Sequence, residues 1–160
     1  MKLYIKQRIF TLTDKYNIFD DFGNTVFTVE KQFFSFPGKF YLRDQNDAEL
    51  FEIRKNFTLF LSSYEIHKDN LIAAKVQKEL TLFKAKFSVE SSYGNFQIDG
   101  DIFSWDFEIK KDGLPMGSVH KEILSWGDSY VLNIYDDENA GFFCALVIAI
   151  DNCLHNENNN

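Results

Sequence analysis

Several cationic residues of this chain stand in pairs whose spacing would let them bind an anion together. Lys84 and Lys86 stand on either side of one alanine, and Lys6 and Arg8 flank one glutamine. Residues two apart in a β-strand point to the same face, so each pair would present two positive charges together. Two such charges can hold a phosphate group through charge-assisted hydrogen bonds. We therefore take Lys84 and Lys86 as the candidate site for an anion or a phospholipid headgroup; the alternative is that they only keep strand edges soluble.

Two histidines stand two residues from a glutamate: His67 follows Glu65, and His120 precedes Glu122. A metal site needs several ligands that converge, and neither pair has a third ligand at a fixed spacing. We expect both pairs to be solvated charge pairs. The chain also lacks a phosphate-binding glycine loop, a dinucleotide fingerprint and a nucleophile elbow. We therefore expect no cofactor, no metal and no enzymatic activity.

Two acid-rich segments, DQNDAE at 44–49 and DGD at 99–101, could suggest calcium. The first lacks the central glycine and the distal glutamate of a helical calcium loop. Both lie between alternating apolar runs, where a hairpin has to turn and where Asp, Asn and Gly are favoured. We interpret both segments as turns.

Charge and composition narrow the function classes. The 160 residues carry a net charge of −7 with a pI of about 4.9, which argues against nucleic-acid binding and, less strongly, against general attraction to anionic membranes. Lysine and arginine interrupt the N-terminal apolar residues, so we expect no signal peptide. No apolar run reaches the ~20 residues of a membrane-spanning helix. With only two cysteines, the chain is predicted to be a cytoplasmic protein with reduced thiols.

Alternating segments separated by turn residues recur along the chain. They pair as Tyr16–Asp20 with Thr25–Val29, Phe40–Asp44 with Glu49–Arg54, Phe57–His67 with Leu71–Val76, Lys86–Glu90 with Asn95–Ile98, and Ser104–Ile109 with Met116–His120, followed by Tyr130–Tyr135. Asp-Asn and Asp-Gly between such runs are the usual hairpin signals. Together with Leu3–Lys6 the pattern predicts about twelve strands, which would expose long edges unless the sheet closes into a barrel.

The segment Ala140–Ile150 is apolar at every position. A helix without a polar stripe must be buried all round, and a barrel of about twelve strands is too wide for its own side chains to fill. We therefore predict that Phe142–Ile150 is a helix inside the barrel, with Asp136, Asp137 and Glu138 capping its first turn. The alternative is that Phe142–Ile150 forms a last buried strand.

The stretches Leu3–Phe10, Lys15–Glu30 and Glu49–Lys55 resemble the bacterial branch of the LURP-one-related family, which is grouped with tubby C-terminal domains and phospholipid scramblases. The resemblance runs from Lys2 to about His155 and implies a twelve-stranded antiparallel barrel around a hydrophobic C-terminal helix. Tubby domains bind phosphoinositide headgroups and scramblases act at membranes. This chain lacks the palmitoylated cysteine cluster and the proline-rich N-terminal arm of scramblases, and tubby's headgroup-binding residues do not match it position by position.

We therefore expect one tubby-like, mainly β domain at 1–155, followed by a disordered tail at 156–160. If a helix fills the barrel, function must lie on the outside. The leading hypothesis is a non-enzymatic binding or regulatory module for a protein or a phospholipid headgroup. One alternative is an enzyme whose site, around His67 or His120, assembles only in three dimensions. Another is a carrier of an apolar small molecule, which requires the last segment to be a strand that leaves the barrel open.

Overall fold

The computed structural model describes residues 1–6, 15–32, 38–56, 63–79, 86–124, 127–135 and 137–155. Within these ranges the chain forms twelve strands, one short 3-10 turn and one helix. The strands are β1 Lys2–Lys6, β2 Lys15–Asp20, β3 Thr25–Gln32, β4 Lys39–Arg43, β5 Glu49–Asn56, β6 Ser63–Lys68, β7 Leu71–Glu79, β8 Lys86–Ser91, β9 Gly94–Asp101, β10 Asp106–Lys111, β11 Leu114–Leu124 and β12 Gly127–Ile134. The helix α1 is Ala140–His155.

The strands form a closed antiparallel barrel in which each pairs with its neighbours in sequence and β12 pairs with β1. Leu3 lies opposite Leu132, and Ile5 lies opposite Tyr130, across the closing pair. Every strand therefore has a partner on both sides, and the sheet offers no open edge. The predicted mainly β, twelve-stranded antiparallel barrel is confirmed.

The two ends of the barrel differ. At one end, which we call the turn end, tight connections at 21–24, 44–48, 69–70, 92–93 and 112–113 join the strands, and the chain passes from β12 towards α1. Asp69 and Asn70, with φ of 50° and 63°, and Asp112 and Gly113, with 51° and 79°, all occupy the left-handed region. Two successive positive φ values characterise the hairpin turn that matches strand twist, as the Asp-Asn and Asp-Gly signals predicted. The other end is called the opposite end below.

The helix α1 fills the lumen. Every residue from Phe142 to Leu154 is buried, and the helix packs against β5, β6, β7 and β12. The ring of Phe142 stacks on Tyr93 at 4.4 Å between centroids and meets Phe96 at 5.6 Å. The predicted central helix is confirmed, and the alternative that Phe142–Ile150 forms a strand is wrong.

The helix begins and ends differently from the prediction. Asp137 and Glu138 lie in the 3-10 turn Asp137–Asn139, and the first turn of α1 contains no acid; Asp136 lies outside the described residues. Ala140 at the start of α1 is already buried, so a carboxylate at that position would lose its hydration. At the other end, α1 continues past Ile150 through Asp151, which is 8% exposed, and Asn152, which is 2% exposed. The amide of Asn152 donates to the Ile148 carbonyl at 2.8 Å, within the helix.

One strand begins later than predicted. Ser104 and Trp105 lie in the connection between β9 and β10, and β10 begins at Asp106. Trp105 has a φ of 56°, a conformation that costs a bulky residue roughly 1–2 kcal/mol. Its ring is buried and stacks on Tyr130 at 3.6 Å between centroids. Burial of a large aromatic ring outweighs that cost, so packing overrides the local alternation. The first residues of the predicted strand Phe57–His67, 57–62, lie outside the described part of the chain.

Candidate functional site

Within the described part of the chain, α1 occupies the interior of the barrel, and its residues from Phe142 to Leu154 are all buried. The side chains of Cys144, Leu146 and Ile150 are all 0% exposed. Burial raises the pKa of the Cys144 thiol, so this sulfur stays protonated and unreactive. A filled lumen excludes the expected alternative of a carrier barrel, and any binding site must lie on the outer wall or at the two ends.

Lysines collect at the strand ends of the opposite end of the barrel. Each is the first, last or next-to-last residue of its strand, and together they come from seven strands. We call this set the lysine rim: Lys6, Lys15, Lys31, Lys39, Lys55, Lys78 and Lys86. The rim runs along β1–β5 and resumes on β7 and β8, which occupy one continuous side of the closed barrel.

The rim lysines fall into two rows because side chains alternate along a strand. Lys31, Lys55 and Lys78 are in phase with buried residues and therefore lie at the mouth of the lumen. Lys39 and Lys86 are out of phase with them and lie on the outer wall. Lys86 is exposed, and neither Lys55 nor Lys86 forms a salt bridge with a residue that the structure describes.

Some cations near the rim are already neutralised. Glu52 on the outer wall of β5 is only 8% exposed and accepts from Arg54, whose second nitrogen lies 2.8 Å away. Lys39 adds a bridge of 3.0 Å to the same carboxylate. These hydrogen bonds, Arg54's first, hold the pKa of Glu52 below its usual value, and the pair raises the pKa of Arg54. This cluster is structural, and Lys15 is also paired, with its Nζ 3.9 Å from Asp47. We take Lys55 and Lys86, which form no salt bridge with a described residue, as the cations available to a ligand.

The residues predicted for an anion site fall partly on this rim. Lys86 is the exposed first residue of β8, and its register partner on β7 is Glu79. Lys84 lies outside the described residues, as does Arg8, whereas Lys6 ends β1. The sequence analysis missed Lys31, Lys55 and Lys78, although each stands beside the end of an alternating run. That position was the available signal.

Of the two histidine pairs, His67 and Glu65 are in direct contact. Nε2 of His67 lies 3.0 Å from Glu65, and His67 is only 7% exposed, so the expectation of a solvated pair is wrong here. In the barrel register His67 lies between Glu52 of β5 and Ile72 of β7. No group of three or more potential metal ligands occurs in the described ranges.

Of the two acid-rich segments, 44–48 is a turn as predicted, whereas 99–101 is the last part of β9, paired with 106–108 of β10, so its prediction as a turn is wrong and the turn follows at 102–105. Asp44 accepts from the backbone amides of Asn46 and Ala48 at 2.8 and 2.9 Å. Asp20, in the β2–β3 turn, accepts from the side chain and backbone of Asn24, and these bonds lower its pKa. Both carboxylates line an open groove on the outer wall. Both accept hydrogen bonds from backbone amides of the following turn, and these bonds stabilise the two hairpins. Asp101 likewise accepts from Ser104 at 2.7 Å.

The turn end has the opposite charge. Its connections contain Asp21, Asp44, Asp47, Asp69 and Asp112, and the described turns 21–24, 44–48, 69–70, 92–93 and 112–113 hold no Lys or Arg. Acids therefore predominate in the turns of one end and lysines at the strand ends of the other, although Lys2, Arg43, Lys68 and Lys111 also begin or end strands at the turn end. Net charge alone does not reveal such a separation.

Comparisons with known proteins agree with this fold. A protein-family model described as LURP-one-related matches residues 1–151. The uncharacterized protein YxjI of Bacillus subtilis (strain 168) is 32% identical over 157 residues, which make up 98% of this chain and 96% of that protein. An X-ray structure of a protein from Arabidopsis thaliana superposes with a TM-score of 0.69 at 15% identity, covering 94% of this chain and 89% of that one, which shows the fold alone. No helix within the described ranges combines the length and apolar character needed to cross a membrane. By its family match and its bacterial relative, this chain belongs to the LURP-one-related family.

Proposed function

We propose that this chain is a non-enzymatic binding module that docks through its lysine rim on the phosphate groups of anionic phospholipid headgroups. The observation that carries the proposal is the gathering of seven lysines at one end of a barrel whose lumen is filled. Lysine is a point-charge donor that suits phosphate. Because α1 leaves no room inside, the rim is the surface through which a ligand would act.

The charge separation supports an oriented approach to a membrane. A lysine near an anionic lipid surface contributes about 1 kcal/mol, and the effect fades within a Debye length of ~8 Å. Lys15 of the rim lies 3.9 Å from Asp47 of the β4–β5 turn, whereas Lys55 and Lys86 form no salt bridge with a described acid, so the unbalanced positive charge that would face the lipid is that of Lys55 and Lys86. The net charge of −7 therefore does not oppose this mode of docking.

The composition of the connecting sequence supports the same reading. Between the rim lysines the chain reads FFSFP at 33–37, FTLFLS at 57–62 and LTLFKA at 80–85. Phenylalanine, leucine and lysine are residue types that amphipathic segments use to bind the membrane interface. A cytoplasmic location fits this function, because both cysteines are free and buried.

Vesicle sedimentation tests the proposal. We expect binding to vesicles of phosphatidylcholine with phosphatidylglycerol, no binding to phosphatidylcholine alone, and release at high salt. Changing both Lys55 and Lys86 to alanine should weaken binding by roughly 30-fold, because each lysine contributes about 1 kcal/mol. Lys75→Ala is the matched control, since Lys75 is an exposed lysine in the middle of β7.

Each other outcome overturns part of the proposal. If Lys75→Ala weakens binding as much as the rim variant, the rim is not the site. If soluble glycerophosphate displaces the protein from vesicles at low concentration, the ligand is a free phosphate compound rather than a membrane. If no vesicle binds at low salt, lipid recognition is wrong and a protein partner replaces it.

A further inference from the structure

Three successive hairpins of the barrel, β2–β3, β4–β5 and β6–β7, share one backbone plan. In each of them the strand register shifts by one residue just before the turn. The shifts lie between Ile18 and Phe19, between Leu42 and Arg43, and between Ile66 and His67, so they recur every 24 residues. The hairpins are therefore structurally equivalent units, and residues 24 positions apart occupy equivalent places at the rim.

The repeat distributes the rim lysines one by one. Lys31, Lys55 and Lys78 are each the next-to-last residue of the second strand of their hairpin, and Lys31 and Lys55 are 24 residues apart. These lysines lie on β3, β5 and β7, so neighbouring members of the row are two strand spacings, or about 10 Å, apart at the backbone. Each hairpin thus contributes one cation to the mouth of the lumen, and the row is not a tight cluster.

Lys55 and Lys86, the two cations available to a ligand, are farther apart. Three strand spacings, about 14 Å, separate β5 from β8. Lys55 is in phase with the buried residues of β5, whereas Lys86 is out of phase with those of β8, so the two side chains extend from opposite faces of the sheet. A phosphate held by both would need each ammonium group within about 3 Å of its oxygens. One phosphate group therefore reaches only one of them.

The two lysines also have different neighbours. Across the strand pair Lys55 lies opposite Tyr64, whose side chain is buried, and Lys86 lies opposite Glu79, which is exposed on the outer wall. Each position therefore offers one ammonium group without a second lysine opposite it. One ammonium group matches the single charge of a phosphodiester, whereas a phosphomonoester carries about −1.5 to −2 and needs converging cations.

We propose that the rim holds at least two phosphodiester headgroups at once, one at Lys55 and one at Lys86. The protein then responds to the density of anionic lipid in a membrane and does not recognise one multiply phosphorylated headgroup. This inference rests on the lipid binding proposed above. A single contact is worth only about fivefold in affinity, but two contacts from one rigid body reinforce each other, because the first raises the effective concentration for the second.

The experiment measures binding to vesicles at constant salt while the fraction of phosphatidylglycerol in phosphatidylcholine is varied. The slope of log affinity against log phosphatidylglycerol fraction counts the headgroups that bind together, and we expect a slope of about two or more for the native protein. Lys55→Ala and Lys86→Ala should each lower the slope by about one. Lys75→Ala, at an exposed position in the middle of β7, should leave it unchanged.

A charge variant separates the number of headgroups from overall attraction. Glu79→Gln removes the negative charge opposite Lys86, so it should strengthen binding at every lipid fraction without changing the slope. If Glu79→Gln or Lys75→Ala changes the slope as much as the rim variants do, the slope reports total charge and the inference is overturned. Melting curves show that each variant folds.

The remaining outcomes distinguish this inference from the proposed function. A slope of one for the native protein overturns the inference and leaves lipid binding intact. The same holds if vesicles of phosphatidylinositol bisphosphate bind the protein more than about tenfold more tightly than phosphatidylglycerol vesicles of equal total charge, because a single headgroup is then the ligand. Absence of binding to every vesicle overturns the proposed function and this inference with it.

Discussion

Replacing Phe142 with alanine tests whether α1 supports the barrel as its packed filling. Phe142 is 1% exposed, and its ring contacts Tyr93, Phe96 and Phe51 at centroid distances of 4.4, 5.6 and 6.3 Å. Truncation of a core phenylalanine to alanine costs about 3–5 kcal/mol, through lost burial and the cavity that remains. The three ring contacts place Phe142 towards the upper part of that range.

The loss is large against the total stability of a domain, which is about 5–15 kcal/mol. For a chain of this length a loss of about 4 kcal/mol lowers Tm by roughly 8–16 °C. The assay is thermal and urea unfolding followed by circular dichroism. Phe22→Ala is the matched control because Phe22 is 89% exposed, and its effect should stay within about 0.5 kcal/mol.

Equal melting temperatures for the two variants would refute the reasoning. Such a result would mean that the ring of Phe142 contributes no packing and that the sheet is stable without its filling. The inference that function lies on the outside would then lose its basis, since the lumen could open. A large loss for Phe142→Ala with a small loss for Phe22→Ala supports both the fold and that inference.

Two further predictions follow from titratable groups. The pKa of Glu52 is lowered in the folded state, so the stability it contributes is present above its usual pKa of 4.5 and is lost as the pH falls through the lower value. Glu52→Gln should lower the free energy of unfolding by about 1.5–3 kcal/mol at neutral pH and make it depend less on pH in the acid range. Glu108 is half exposed beside Lys110, so Glu108→Gln should change the free energy of unfolding little. Because burial raises the pKa of Cys144 and Cys153 is 0% exposed, neither thiol should react with an aromatic disulfide reagent faster than the protein unfolds; rapid reaction of the native protein would show that the lumen opens.

The local pattern of the sequence was enough for most of the fold. Alternation with period two placed the strands, and turn residues such as Asp112-Gly113 placed the hairpins, because both signals depend on neighbours a few residues apart. The prediction from local pattern was wrong where tertiary packing competes with local conformational preference. Trp105 leaves its predicted strand to bury its ring, and Glu138 stays outside the helix because the first turn of α1 is buried.

The candidate surfaces were harder to foresee, because they combine residues far apart in the chain. The sequence shows that Lys84 and Lys86 are close neighbours, but it does not show that Lys31, Lys55 and Lys78 reach the same end of a barrel.

What the sequence by itself determined was the set of strands, the turns and the burial of Ala140–Ile150, since each follows from local periodicity and apolar content. Only the tertiary structure decided that β12 closes on β1, which brings Met1 beside Ile134 across 133 positions. The antiparallel alternation of the strands places the described tight turns at one end and the lysine-bearing strand ends at the other. The gathering of lysines from seven strands follows from strand alternation and register over the whole chain, which no local window of sequence contains.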